Sequence, residues 1–353
     1  MRVPAVILIA TVVLAAGCSH LSYYLQSVEG QLTLLKSRQE ITDMLADPVT
    51  PAALKRRLEQ TLHIREYASS ELKLPDNQSY RSYADLGRPF VVWNVFATQE
   101  FSIKPEQWCF PIAGCVGYRG YFSKAGADNF AGELRSAGYD VYVGGVPAYS
   151  TLGWFNDPVL NTFVNYSDYE VARLIFHELG HQVMYVKNDT EFNESFAVAV
   201  ETEGIGRWLE RYGDSKMRAD FVRSQQRRAQ FSALVIKHRR ALGALYRSKF
   251  APAEMRERKA ALFEALKQDY RQLKQQEWGG FAGYDRFLDD PNNAKLASIS
   301  FYNALVPNFQ QILAKLNGDL PAFYAEVKRL AALGEKARYR TLGVDPSDQE
   351  ELK

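Results

Sequence analysis

Neither sign of charge dominates this chain of 353 residues. It has 43 Lys and Arg against 41 Asp and Glu, a formal net charge of +2. That lacks the basic excess of a dedicated nucleic-acid binder, so nucleic acid is not an expected partner. Internal repeats and low-complexity tracts are absent, and the 23 Gly and 14 Pro show no period; collagen-like and disordered readings therefore fail. Long apolar runs are also missing. The longest, residues 3–16, is too short to span a membrane. What is present is a globular composition, 46% hydrophobic with 20 Phe, 20 Tyr and 5 Trp, enough apolar area for a sizeable core.

The short apolar run follows Arg2 and ends in Ala15-Ala16-Gly17-Cys18-Ser19. A positive start, an apolar stretch and small residues predict a secretory signal peptide over residues 1–17. The residues directly before Cys18 resemble a bacterial lipobox, although Ala15 stands where Leu is commoner. Cys18 is then the lipidation site, and the membrane is met through an N-terminal lipid. Ser19, with no Asp beside the Cys, favours the outer membrane in a cell with two. The expected location is the bacterial cell envelope, facing the periplasm. Export places Cys109 and Cys115 in an oxidising compartment. Pro111 and Gly114 between them suit a tight loop, so the pair is a disulfide candidate, with free thiols as the alternative.

Helical patterns at both ends flank a mixed middle, which gives an α+β class, mainly α. Residues 22–44 read as one helix, and Thr50-Pro51 opens another running to about residue 72. Residues 90–98 and 139–149 read as strands, the second interrupted at Gly144-Gly145, with a helix over 125–137 between them. From Ser167 onward helix dominates. The basic helix over 214–249 carries an apolar stripe that includes Phe231, Val235 and His238, and reads as core-packed with a solvated basic side, the alternative being a face towards an anionic membrane surface. The expected organisation is signal peptide 1–17, N-terminal helical segment 18–75, central core 76–212, and a helical region 213–353 that closes a cleft.

Ser167-Asp168-Tyr169-Glu170 is a capping-box pattern that starts a helix. That helix carries His177-Glu178-Leu179-Gly180-His181. Positions i and i+4 share a face, so both imidazoles can meet one metal ion. Zinc suits two imidazoles plus a carboxylate and leaves a position for water, whose proton Glu178 would take and pass to a leaving amine. A helix continued to about Val186, turned through 188–190 and returned from near Glu191 brings Glu194 to the level of His181. Glu201, seven residues further, shares the face of Glu194 and is a candidate to orient a His through its other ring nitrogen; a solvated or capping carboxylate is the alternative.

The run His177-Glu178-Leu179-Gly180-His181-Gln182 followed by Asn193-Glu194-Ser195-Phe196-Ala197 resembles the gluzincin aminopeptidases, with their HExxHQ and NExFA helices. The resemblance implies a zincin-like metallopeptidase domain with a small mixed β-sheet, one Zn2+ per chain, and Glu194 as third ligand; Glu201 matches a Glu commonly found seven residues later. Stretches such as Gly-Cys-Val-Gly-Tyr-Arg-Gly-Tyr-Phe at 114–122 and Ala-Tyr-Ser-Thr-Leu-Gly-Trp-Phe at 148–155 are similar to a family of bacterial lipoproteins described as aminopeptidases. Two departures stand out. The connection between His181 and Glu194 is shorter than in classical gluzincins, and Ala148 stands where their amine-binding Glu would be. Gly145, Val146, Ala148 and Tyr149 remain candidates for binding peptide along an edge strand. The electrophile opposite the metal is expected to be Tyr302, on a helix downstream of the third ligand, with Tyr118 and Arg119 as second choices. The expected function is zinc-dependent peptide hydrolysis by an aminopeptidase in the envelope. The alternatives are an endopeptidase acting on envelope or cell-wall peptides, and a non-catalytic, metal-stabilised peptide-binding lipoprotein.

Overall fold

The computed structural model describes residues 23–111, 114–300 and 305–344; Cys18 and Tyr302 lie outside them. Residues 23–36 form helix α1. Then come Gln39–Glu40 (β1), Ile41–Ala46 (α2), Ala52–Ser70 (α3) and Ser82–Ala84 (β2). The single helix expected over 22–44 is therefore corrected to two helices with a strand between them. The reason is competition for backbone hydrogen bonds: β1 pairs antiparallel with β2, and the Ile41 N–H donates to the Arg81 carbonyl at 3.1 Å. Arg38 adds a bond to the Asn156 carbonyl at 2.8 Å.

The middle of the chain supplies Val92–Thr98 (β3), Trp108–Phe110 (β4), Gly114–Val116 (β5), Arg119–Tyr121 (β6), Lys124–Ser136 (α4), Asp140–Val146 (β7) and Val159–Leu160 (β8). Strand β3 is central in a sheet ordered β6-β3-β7, and both of its pairings are antiparallel. The register between β3 and β7 runs unbroken from Val92↔Val146 to Thr98↔Asp140. Gly144-Gly145 thus does not interrupt the strand, contrary to expectation. At Gly145 the ring of Phe90 occupies the space of a side chain, 2.3 Å from where a Cβ would lie. Strand β8 pairs parallel with β2, and β4 with β5 forms a small antiparallel hairpin.

Helix then takes over: Asp168–Val183 (α5), Thr190–Tyr212 (α6), Ser215–Tyr246 (α7), Pro252–Gln276 (α8), Asp285–Leu288 (α9), Asn293–Ser300 (α10), Val306–Lys315 (α11), Leu320–Ala331 (α12) and Glu335–Thr341 (α13). The class is mainly helical with small sheets. One apolar core runs from Leu34 to Leu342 and contains the inner faces of α3, α5, α6, α11 and α12. A second joins α7 to α8 through Phe231, Val235, Leu266 and Tyr270. A third lies under β3 and α4 around Val95, Tyr121 and Ala131. No described helix is long and apolar enough to cross a membrane.

Candidate metal centre

Helix α5 begins with the capping box read from its sequence. The Ser167 N–H donates to Glu170 Oε2 at 3.2 Å, and Arg57 braces Asp168 Oδ1 at 2.5 Å. The helix stops at Val183, and Asn188 takes a left-handed backbone with φ 68°. Asp189 then caps α6 by accepting from the Phe192 N–H at 3.2 Å. Asn193 clamps the intervening turn: its amide accepts from the Val186 N–H and donates to the Val186 carbonyl, both at 2.8 Å. The two helices therefore face each other with a fixed stagger.

That stagger brings three side chains together. His177 Nε2 and His181 Nε2 lie 3.2 Å apart, and the Glu194 carboxylate stands 3.5 Å from the first and 3.6 Å from the second. The three ligand-type atoms all fall within 4.8 Å of one another. Glu201 is fully buried, and its Oε2 lies 2.9 Å from His177 Nδ1. An N–H donated to that carboxylate leaves the Nε2 lone pair pointing at the group. Two imidazole nitrogens that share one gap cannot satisfy each other through lone pairs, and His181 Nδ1 is buried with no hydrogen-bond partner among the described residues. A cation shared by both Nε2 atoms and the carboxylate would satisfy the converging lone pairs and leave His181 Nδ1 as the N–H, so the donor set fits a divalent metal.

Burial dominates the electrostatics. It pushes the Glu178 carboxyl up to about 7, with His177 opposing and Glu194 adding to the rise. It brings His181 down to about 4. Burial also opposes ionisation of Glu201, but Arg173, Arg228 and His177 outweigh it and hold that carboxyl well below the usual range. Arg228 Nη1 donates to Glu201 Oε1 at 2.7 Å, and Arg173 Nη1 lies 3.3 Å from Oε2.

The group opens onto a cavity of about 490 Å³. Val146, Ala148 and Tyr149 line it, as do Tyr23 and Ser27 of α1, whereas Gly145 does not. The Tyr149 hydroxyl donates to Gln31. Tyr118 and Tyr185 line the cavity too; burial raises the Tyr118 hydroxyl, and the charge of Glu194 raises it further. Arg119 instead stacks on the rings of Tyr23 and Phe130, at 4.1 and 4.5 Å. His238 is buried and pairs with Asp269 at 2.9 Å, away from the centre.

Cys109 and Cys115 are bonded to each other across the β4–β5 hairpin. The hairpin docks on the turn between the ligand helices. The Cys115 N–H donates to Asn188 Oδ1 at 2.7 Å, and Lys187 Nζ donates to the Pro111 carbonyl at 2.9 Å. Gly114 is needed there on two counts, a φ of +78° and an Asn188 oxygen 2.3 Å from where its Cβ would be. Sequence reasoning missed this docking, and it missed the two arginines on Glu201. Arg173 carried a usable signal, since it lies four residues before His177 on the same helix face; Arg228 carried none.

Comparison with curated proteins and with solved structures gives no match. A family model does match, over residues 22–342, and so spans both ligand helices, the sheet and the helices that enclose them. By that match the chain belongs to the family described as "Putative aminopeptidase".

Proposed function

We propose that the protein is a zinc-dependent peptidase with a zincin-like core, an aminopeptidase of the cell envelope anchored by lipid on Cys18. One observation carries the reading. Glu178, which metal holding does not require, lines the same cavity as the His177, His181 and Glu194 group and is kept 8% exposed. His177, His181 and Glu194 would hold the ion, and two imidazoles with one carboxylate are a typical zinc set. When bound, zinc supplies Lewis acidity that polarises a peptide carbonyl and makes water easier to deprotonate. Glu178 takes the proton from the attacking water and delivers it to the leaving amine nitrogen, a task that suits a carboxyl raised towards neutrality. Glu201 fixes the His177 ring through Nδ1. Tyr118, reaching the cavity from the loop after β5, keeps its proton and donates a hydrogen bond from its hydroxyl to the developing oxyanion, the role expected of Tyr302. The backbone of Val146 to Tyr149 offers the peptide a place to lie.

The test pairs metal content with hydrolysis of free and N-acetylated peptides by wild type and Glu178→Gln. Expected are one zinc per chain in both proteins, and a loss of turnover of about 10²–10⁴-fold in the variant. Equal cleavage of N-acetylated peptides would change the assignment to endopeptidase. Zinc without cleavage in either protein would leave a metal-stabilised binding protein.

A further inference from the structure

The cavity has a cationic wall. Arg173 stands one helical turn before His177 on α5, Arg228 reaches across from α7, and both line the space in front of the metal group. Both meet Glu201, yet one carboxylate neutralises only one guanidinium, and Glu201 also serves His177. Burial separates the signs. The Glu201 side chain is 0% exposed, while those of Arg173 and Arg228 are 29% and 32% exposed, so the negative member is withdrawn and the positive ones face the cavity. The contacts differ in strength as well. Arg228 holds Glu201 at 2.7 Å, whereas the closest approach of Arg173 is 3.3 Å, which makes Arg173 the less committed donor.

The other acidic side chains lining the cavity are Glu194, a member of the metal group, and Glu178, one residue after His177. Among the described residues no further Asp or Glu lines it, so an ammonium group of the substrate finds no dedicated carboxylate. A carboxylate finds a guanidinium, whose planar fork of donors matches it. Glu201 Oε2 meets both Arg173 Nη1, at 3.3 Å, and His177 Nδ1, at 2.9 Å, so the guanidinium stands beside the ring that Glu201 orients.

Resting on the peptidase reading, we propose that Arg173 binds the free α-carboxylate of short peptides, with Arg228 holding Glu201 so that Arg173 stays available. The protein then favours short peptides with a free C-terminal carboxylate and discriminates against C-terminally blocked chains.

The experiment measures binding separately from turnover. Zinc-loaded Glu178→Gln protein is titrated calorimetrically with Ala-Ala-Ala and with its C-terminal amide, and kcat/KM for both is measured with wild type, Arg173→Met and Arg173→Lys. The free acid is expected to bind about 10-fold or more tighter than the amide, the scale of a charge-assisted hydrogen bond. In Arg173→Met the acid-to-amide ratio of kcat/KM falls towards one, and Lys restores part of it. A residue that only positioned Glu201 would lower both substrates together and leave that ratio intact. Equal binding of acid and amide by the Glu178→Gln protein overturns the inference even if Arg173→Met fails to fold. Acid-selective binding without hydrolysis by wild type keeps the inference and removes the peptidase reading. Hydrolysis that ignores amidation does the reverse, and binding of neither peptide overturns both.

Discussion

Helices α5 and α6 bury a cluster of charges between them, whereas α7 and α8 are joined by apolar residues and carry several of their ion pairs at the surface. In the first pair, Glu178, His181 and Glu201 are all less than 9% exposed. In the second, Arg258 meets Glu254 and Lys237 meets Asp269 in solvent, and the helices are joined by apolar residues such as Phe231 and Leu266. Exposed pairs contribute little to stability, so α7 and α8 depend on their hydrophobic seam. Buried charges are costly unless every member is paired, so α5 and α6 need partners from elsewhere in the chain: Arg228 from α7 and, at the start of α6, Arg338 and Tyr339 from α13. Arg338 approaches Asp189 to 2.5 Å, and the Tyr339 hydroxyl donates to Asp189 at 2.8 Å. A centre of buried charge is thus supported by distant sequence, while an apolar seam largely supports itself.

The largest effect expected from breaking this contrast comes from Arg338→Ala. It removes the counter-charge of the buried Asp189 carboxylate, leaving the Tyr339 hydroxyl and the Phe192 N–H, and should cost about 3–5 kcal/mol, with weaker binding of a divalent metal because the start of α6 is set by that cap; denaturation and metal titration together check it. Leu266→Ala, in the seam of α7 and α8, should cost about 3 kcal/mol but leave divalent-metal titration at the His177, His181 and Glu194 group as in wild type, which sharpens the contrast.

A smaller effect is expected at Asp157, buried near the centre and accepting from the Thr151 N–H at 3.0 Å. Burial pushes its carboxyl up to about 6. A folded pKa raised above the unfolded value means stability is fullest below about pH 4 and falls as pH rises through about 6. Asp157→Asn should therefore match wild type at about pH 4 and exceed it by up to about 2–3 kcal/mol at about pH 8, read from melting curves across that range. Gly180→Ala is the smallest. A Cβ there would lie 3.5 Å from Ala197 Cα and 3.7 Å from Val200 Cβ, ordinary contact, so the gain in helix propensity, up to about 1 kcal/mol, should appear without a change in metal titration. A destabilised variant would show that the two helices cannot accept even a methyl group at their crossing.

What could be read beforehand follows the range of the interactions. His177, His181 and Glu194 were legible because the first two are related by helical spacing and the third by a short turn. The β3–β7 strands and the capping box of α5 were local in the same sense. Arg228, the clamp of Asn193 on Val186 and the docking of Cys115 on Asn188 depend on where separate elements cross, and no periodicity records a crossing. The break between α1 and α2 was hidden for the same reason, since β1 finds its partner β2 more than forty residues later. Likewise the parallel pairing of β2 with β8 joins residues about 75 positions apart.

Tyr23 and Ser27 place the first turns of α1 in the cavity wall. With a lipid on Cys18, only residues 19–22 separate the anchor from that wall, a leash of roughly 15 Å even when drawn straight. The cavity would then sample only the thin layer of solution against the bilayer. Its diet would be set by which peptides linger at that surface as much as by which ones fit, and a form released from the lipid could keep its chemistry while meeting a different population of substrates.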